Sequence, residues 1–240
     1  MTLLKRLLER LLRRGPSARV PHDRLEGVME MLAKTSLEEF TARLASGAPT
    51  PGGGSAAALA GALSASLIQM VCDLTLGRDK YREHEEPVRQ IRQKAEALHR
   101  NLLALVDRDA DAYDGVMAAI RMPKETEREK AARKEAMGRA NLFATETPMA
   151  TAEGCVTLLG LAGALVGRSN TNALSDAGTA AMLAYAGLRG GAMNVRINLS
   201  GIGDAGHAAK ARERVQRIEV EGEKLREEIL RAIFAAGALQ

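Results

Sequence analysis

The chain has 240 residues, 46% hydrophobic and 27% charged, a formal charge of +4, and six aromatic side chains, three Phe and three Tyr. That length suits one large domain or two small ones, burying about 70–75% of the unfolded chain's surface. So few rings exclude a single-strand nucleic-acid binder, whose bases need stacking platforms, and the scarcity of alternating β-branched runs excludes a sandwich or barrel. Ala, Leu, Glu, Arg and Lys at helical spacing predict an all-α, single-domain helical bundle.

The leader, residues 1–24, carries seven Lys and Arg against Glu9 and Asp23, a charge of +5, and the remaining 216 residues sum to −1. Leucine pairs at Leu3-Leu4, Leu7-Leu8 and Leu11-Leu12 predict a basic amphipathic helix, stopped by Gly15-Pro16. Such a helix suits an anionic lipid surface, a partner protein or a peripheral packing role. Charges interrupt every stretch that could serve as a signal peptide, and a cytoplasmic protein is expected. Cys72 and Cys155 lie in apolar runs and read as buried thiols of a reducing compartment.

The globular domain is expected over residues 25–240. Ser36 with Glu39 forms a capping box for a short helix to about Ser46. The run Pro49-Thr50-Pro51-Gly52-Gly53-Gly54-Ser55 breaks the chain before an Ala-rich helix to about Leu76. Its uncharged stretch, Ser55 to Cys72, is built of Ala, Gly and Ser around Gln69, which predicts a buried central helix rather than a membrane span. A polar loop with Arg78, Lys80 and Tyr81 leads to a long helix from about Glu83 to Met122. Thr126 with Glu129 is a second capping box, for a helix to about Thr145. Pro148 is expected to open a separate Ala/Gly-rich helix to about Gly167. A further small-residue helix follows, about Ser175 to Leu188, and the last runs from about Asp204 to Ala236. Ala/Gly-rich helices belong at the centre of a bundle, and the large uncharged surface predicts packing as a homodimer.

Four sets of residues stand out chemically. Gly52-Gly53-Gly54-Ser55 ahead of a long helix offers open backbone amides to an anion, or serves as a turn with Ser55 as cap. In the long helix, Val88, Ile91, Ala95, Leu98, Leu102, Leu105, Val116 and Ile120 form an apolar stripe. Continuing it from Leu105 at 3–4 spacing lands on Asp109, then Ala112 and Tyr113; Asp107, Asp111 and Asp114 fall on a wetter face. A carboxyl in a core-facing stripe is costly when charged, which raises its pKa towards the range useful for proton transfer; a structural tie between helices is the plain alternative. Four of the six Asn fall at Asn170, Asn172, Asn194 and Asn198, with Ser175 and Asp176 nearby. These groups suit either recognition of a polar heterocycle or hydrogen bonding inside the bundle. Gly201-Ile202-Gly203-Asp204-Ala205-Gly206 matches G-x-G-x-x-G, but its helix runs to the chain end, so no second strand completes a dinucleotide site. His22, His84, His99 and His207 lack metal-ligand spacing, so no metal is expected.

Pro51-Gly52-Gly53-Gly54-Ser55-Ala56-Ala57-Ala58, Asp109-Ala110-Asp111-Ala112-Tyr113, Met122-Pro123-Lys124, Ser175-Asp176-Ala177-Gly178 and Asn194-Val195-Arg196-Ile197-Asn198-Leu199, in that order, closely resemble the cyclodeaminase/cyclohydrolase family. That family comprises the C-terminal domain of formiminotransferase-cyclodeaminase and stand-alone methenyltetrahydrofolate cyclohydrolases, and the resemblance covers about residues 35–236. It departs from the pattern at Arg168-Ser169-Asn170-Thr171-Asn172, where the family usually has Gly-Asn followed by Pro or a similar residue. The resemblance implies an all-helical homodimer binding a tetrahydrofolate derivative as substrate near the subunit interface, with no tightly bound cofactor. It also implies an acid/base aspartate in the D-x-x-A-aromatic motif, which maps to Asp109. On this reading Asn170, Asn194, Asn198 and Asp176 position the pterin, helped by Tyr113, Ser55 and Ser175. Lys80, Lys124 and the amides of Gly52, Gly53 and Gly54 meet the anionic glutamate tail. The expected activity is cyclodeamination of formiminotetrahydrofolate, supplied by a separate formiminotransferase, with methenyltetrahydrofolate cyclohydrolase as the alternative reaction. A non-catalytic helical interaction module is the non-enzyme alternative.

Overall fold

Six α-helices joined by short 3-10 turns make up residues 31–236, the part of the chain that the computed structural model describes, and no strand occurs among them. The helix expected within residues 1–24 lies outside the described residues. The helices are α1 (Leu37–Leu44), α2 (Gly53–Asp73), α3 (Glu85–Arg121), α4 (Glu127–Leu165), α5 (Leu174–Asn198) and α6 (Ala205–Ala235). Ser36 caps α1 by accepting from the Glu39 N–H, and Thr126 with Glu129 closes a full capping box on α4. Asp204 caps α6 through the N–H groups of Gly206 and His207. The G-x-G-x-x-G run therefore spans the end of a 3-10 turn, that cap and the first two residues of α6.

Small side chains set the architecture. α2 runs antiparallel to α3, with Ser55 beside Asp109 at one end and Asp73 paired with Arg92 at the other. It also runs antiparallel to α5, since Gly53 lies near Asn194 and Leu74 accepts from Asn170. Cys155 of α4 closes the hub: a Cβ on Gly61 of α2 or on Gly187 of α5 would stand 2.7 Å from its sulfur. Any side chain there would force the three axes apart. Both cysteines are free and buried, and burial pushes each thiol up to about 12, helped at Cys72 by Asp73. α2 and α4 are long and apolar enough to cross a membrane on length and composition alone, and 56% of each apolar window is buried inside the bundle.

Two expected helix ends are absent. Pro148 begins no new helix; it lies inside α4, which runs unbroken for 39 residues. Proline removes the N–H that would bond the carbonyl four residues back, here Ala144. The side-chain amide of Asn198 donates to that carbonyl, so the buried group keeps a partner and the helix continues. Asn198→Ala should therefore lower stability by about 1–3 kcal/mol, read by urea denaturation. An unchanged midpoint would mean that the carbonyl finds another donor. Likewise α5 does not stop near Leu188 but passes through Gly190-Gly191 to Asn198, because these glycines admit neighbours. A Cβ on Gly190 would meet that of Ala57 at 2.8 Å, and one on Gly191 the Pro148 carbonyl oxygen at 2.8 Å.

α3 and α4 outrun the other helices. Asp109 lies level with the first turn of α2, and Ala144 level with the end of α5. Beyond them the two helices continue as an antiparallel hairpin whose side chains are mostly exposed, tied at Arg133 Nε, which donates to the Ile120 carbonyl at 3.3 Å.

Candidate active site

Asp109 interrupts the buried face of α3 where Leu102, Leu105 and Ala112 are buried, and it points at the first turn of α2. The Ser55 N–H donates to Asp109 Oδ2 at 2.8 Å, and Ser55 Oγ lies 3.0 Å from the same oxygen and 3.0 Å from the Val106 carbonyl. Gly52, rather than Ser55, is the N-cap of α2, and it makes no side-chain cap. The first-turn amides of Gly53 and Gly54 have no described acceptor, as expected of the donors at a helix start; Gly53 is exposed and Gly54 is buried under the carboxyl. Gly54 is there for space. A Cβ on it would stand 2.0 Å from Asp109 Oδ1 and 2.5 Å from Cγ, so the carboxyl rests directly on the helix backbone.

Two influences act on this carboxyl. Burial raises its pKa and is the larger; the side-chain and backbone hydrogen bonds from Ser55 oppose it. The outcome is a carboxyl above its ordinary value. Oδ1 accepts from no described residue, and it is not among the buried, unpartnered side-chain oxygens, which are Ser64 Oγ and Asp107 Oδ2. Oδ1 therefore keeps access to solvent, and proton exchange with a ligand is open to it. Asp107 is half-buried rather than on a wet face, while Asp111 and Asp114 are exposed.

The other residues singled out divide between the two ends of α2. At the Asp109 end, Asn194 Nδ2 donates to the Gly190 carbonyl at 2.9 Å, leaving its Oδ1 without a described partner, and it lies against Gly53. Tyr113, one turn beyond Asp109, is exposed, and so is Lys124 past the end of α3. Asn198 is at this end too, but its amide is committed to Ala144. At the far end, about 30 Å away along a 21-residue helix, stand Lys80, Asn170, Ser175 and Asp176. Asn170 is buried and structural in its contacts. Its N–H donates to Thr75 Oγ1, its Nδ2 to the Leu74 carbonyl, and its Oδ1 accepts from the Asn172 N–H. Tyr81 belongs to this group: its oxygen accepts from the Thr171 N–H at 3.1 Å, and hydrogen bonding with Thr171, with Lys80 beside it, pulls the phenol down to about 8. Within one chain these two ends do not meet.

The family sequence model described as formiminotransferase-cyclodeaminase matches residues 36–217, which span both ends of α2 and the carboxyl between α2 and α3. The chain belongs to this family. Among members of the formiminotransferase-cyclodeaminase family, it is 40% identical over 203 residues to the methenyltetrahydrofolate cyclohydrolase of Methylorubrum extorquens, covering 85% of this chain and 98% of that protein. It is 31% identical over 214 residues to the formimidoyltransferase-cyclodeaminase of Rattus norvegicus, covering 89% of this chain but 38% of that longer protein. The crystal structure of formiminotetrahydrofolate cyclodeaminase from Thermotoga maritima superposes with a TM-score of 0.75 at 26% identity, covering 85% of this chain and 98% of that one.

Proposed function

We propose that the chain is a methenyltetrahydrofolate cyclohydrolase with Asp109 as its acid/base group; cyclodeamination of formiminotetrahydrofolate is the second reading. The observation that carries the proposal is the Asp109 carboxyl, held at one oxygen by Ser55, open at the other, and raised in pKa by burial. Cyclohydrolysis takes precedence over the activity expected from sequence because the Methylorubrum relative of that name matches at 40% identity over 98% of its own length. The Thermotoga structure and the longer rat protein favour the second reading.

In cyclohydrolysis, water adds to the carbon bridging N5 and N10 of the methenyl cation while the Asp109 carboxylate takes one of its protons. The same proton passes to N5 as the carbon–N5 bond breaks, and the remaining hydroxyl proton leaves as the formyl carbonyl forms. In cyclodeamination, N10 attacks the formimino carbon, its proton passes to the formimino nitrogen, and the carboxyl adds the second proton with which ammonia leaves; a separate formiminotransferase would supply that substrate. Either course asks for one carboxyl of tuned pKa. The exposed Tyr113 ring and the free Asn194 Oδ1 suit the pterin, and Lys124 with the Gly53 and Gly54 amides suits the glutamate carboxylates.

A homodimer would complete the site. Leu63 and Met70 of α2, Leu74 at its C-cap, and Met182, Met193 and Ile197 of α5 leave an apolar stripe exposed along both central helices. A two-fold axis near Leu63, the midpoint of α2, would bring Lys80 and Tyr81 of the partner subunit towards Asp109 of the first. Leu63→Glu should then yield monomers with weakened folate binding, by sedimentation and KM; a dimer of undiminished stability would place the interface elsewhere. The activity itself is tested by incubation with methenyl- and formiminotetrahydrofolate separately, following loss of methenyl absorbance and release of ammonia. Ammonia release alone would reverse the order of the two readings, and silence with both would remove the enzyme.

A further inference from the structure

The two oxygens of Asp109 are not equivalent. Oδ2 faces both donors of Ser55, the N–H at 2.8 Å and the hydroxyl at 3.0 Å, whereas Oδ1 rests against Gly54, where a Cβ would stand 2.0 Å from it, and accepts from no described residue. Ser55 sits in the first turn of a 21-residue helix and is fully buried, so its position is set by the helix and not by a ligand. We propose that Ser55 is a positioning residue: it clamps Oδ2 and so makes Oδ1 the oxygen that takes up and delivers the catalytic proton. This rests on Asp109 being the acid/base group.

The clamp has two parts with different freedom. The backbone N–H can only donate to Oδ2. The hydroxyl has one proton and two acceptors within reach, Asp109 Oδ2 and the Val106 carbonyl, each at 3.0 Å. While Asp109 is ionised, charge favours the hydroxyl donating to Oδ2. When the proton arrives on Oδ1, Oδ2 becomes a neutral carbonyl oxygen, and the hydroxyl is released to choose between two acceptors of similar strength. Both forms of the carboxyl therefore keep their hydrogen bonds without the side chain turning. A carboxyl free to rotate would present the proton-bearing oxygen to its ligand only part of the time, and orientation of this kind carries a large share of proton-transfer rates.

Ser55→Ala keeps the N–H, removes the hydroxyl and leaves a residue of nearly the same volume. Two measurements follow it: the pH dependence of kcat, and the carbon-13 signal of the Asp109 carboxyl, assigned by its disappearance in Asp109→Asn. Losing a donor to the charged form should move the carboxyl titration and the acid limb of kcat up together, by about one pH unit, with kcat down about tenfold and KM little changed. Ser55→Cys, which retains a weak donor, should fall between. An Asp109 titration unmoved in Ser55→Ala would overturn the clamp even if the enzyme is active. A moved titration in a protein that turns over neither folate would keep the clamp and remove the proposed function. Lowered kcat and raised KM with an unshifted titration would make Ser55 a packing residue only.

Discussion

Asp109→Asn is expected to lower turnover about 10³-fold while raising the melting temperature near neutral pH. The substitution keeps the size of the side chain and an oxygen for the Ser55 donors, and removes the transferable proton. Its effect on stability follows from linkage. The carboxyl of the unfolded chain ionises near about 3.9, whereas burial holds the folded one higher despite Ser55. Between the two values the unfolded chain has released its proton and the folded one has not, so each rise in pH favours unfolding. The stability lost this way is nil below the unfolded value and complete above the folded value. Asparagine loses none of it. Thermal melts should thus show the two proteins together in acid and separating as pH rises through the folded pKa. Near-normal turnover would remove Asp109 from the chemistry, and a gap independent of pH would show that ionisation is not what its burial penalises.

Gly54→Ala should lower activity nearly as far by a different route. The new Cβ would fall 2.0 Å from Oδ1 and 2.5 Å from Cγ, so either the first turn of α2 or the Asp109 side chain must move. Neither moves alone, because Ser55, the next residue, grips Oδ2. Displacement of a reacting group by about 1 Å lowers rates about 10²-fold, and overpacking of this kind costs about 1–3 kcal/mol. Gly53→Ala is the control, since its Cβ would meet Asn194 Nδ2 at 3.8 Å, an ordinary contact. Parallel kcat and urea measurements should separate the neighbours. Equal losses in both would indicate a general need for a flexible turn rather than a seat for the carboxyl.

Much of the bundle could be read from local chemistry. The capping residues Ser36, Thr126 and Asp204 and the Ala/Gly composition of α2 and α5 act within a few residues of themselves. Asp109 was visible because a carboxyl in an apolar stripe breaks a period that sequence displays. Its partner was not, since Ser55 lies 54 positions away and nothing along the chain encodes that pairing. Pro148 misled for a related reason. The rule that proline ends a helix supposes an orphaned carbonyl, and the group that rescues this one is Asn198, fifty residues on. That rescue also explains why an asparagine that reads as a ligand contact has its amide already committed. The helix expected to end near Leu188 continues through Gly190 and Gly191, which admit the Ala57 side chain and the Pro148 carbonyl. Long-range steric fit has no local signature.

The position of Asp109 along α3 divides that helix into parts of unequal resilience. Towards Glu85 it packs along α2, with Val88, Ile91, Ala95 and Leu102 buried and Arg92 paired with Asp73. Towards Arg121 it belongs to the exposed hairpin, whose amides are guarded by little more than the helix itself. Local opening draws on just such thinly packed segments. Tyr113 and Lys124 ride on the yielding part, and the carboxyl stands at its root. On the proposed function, a bulky, charged substrate would meet the thinly packed part first, while the Asp109 carboxyl is held by the firmly packed part.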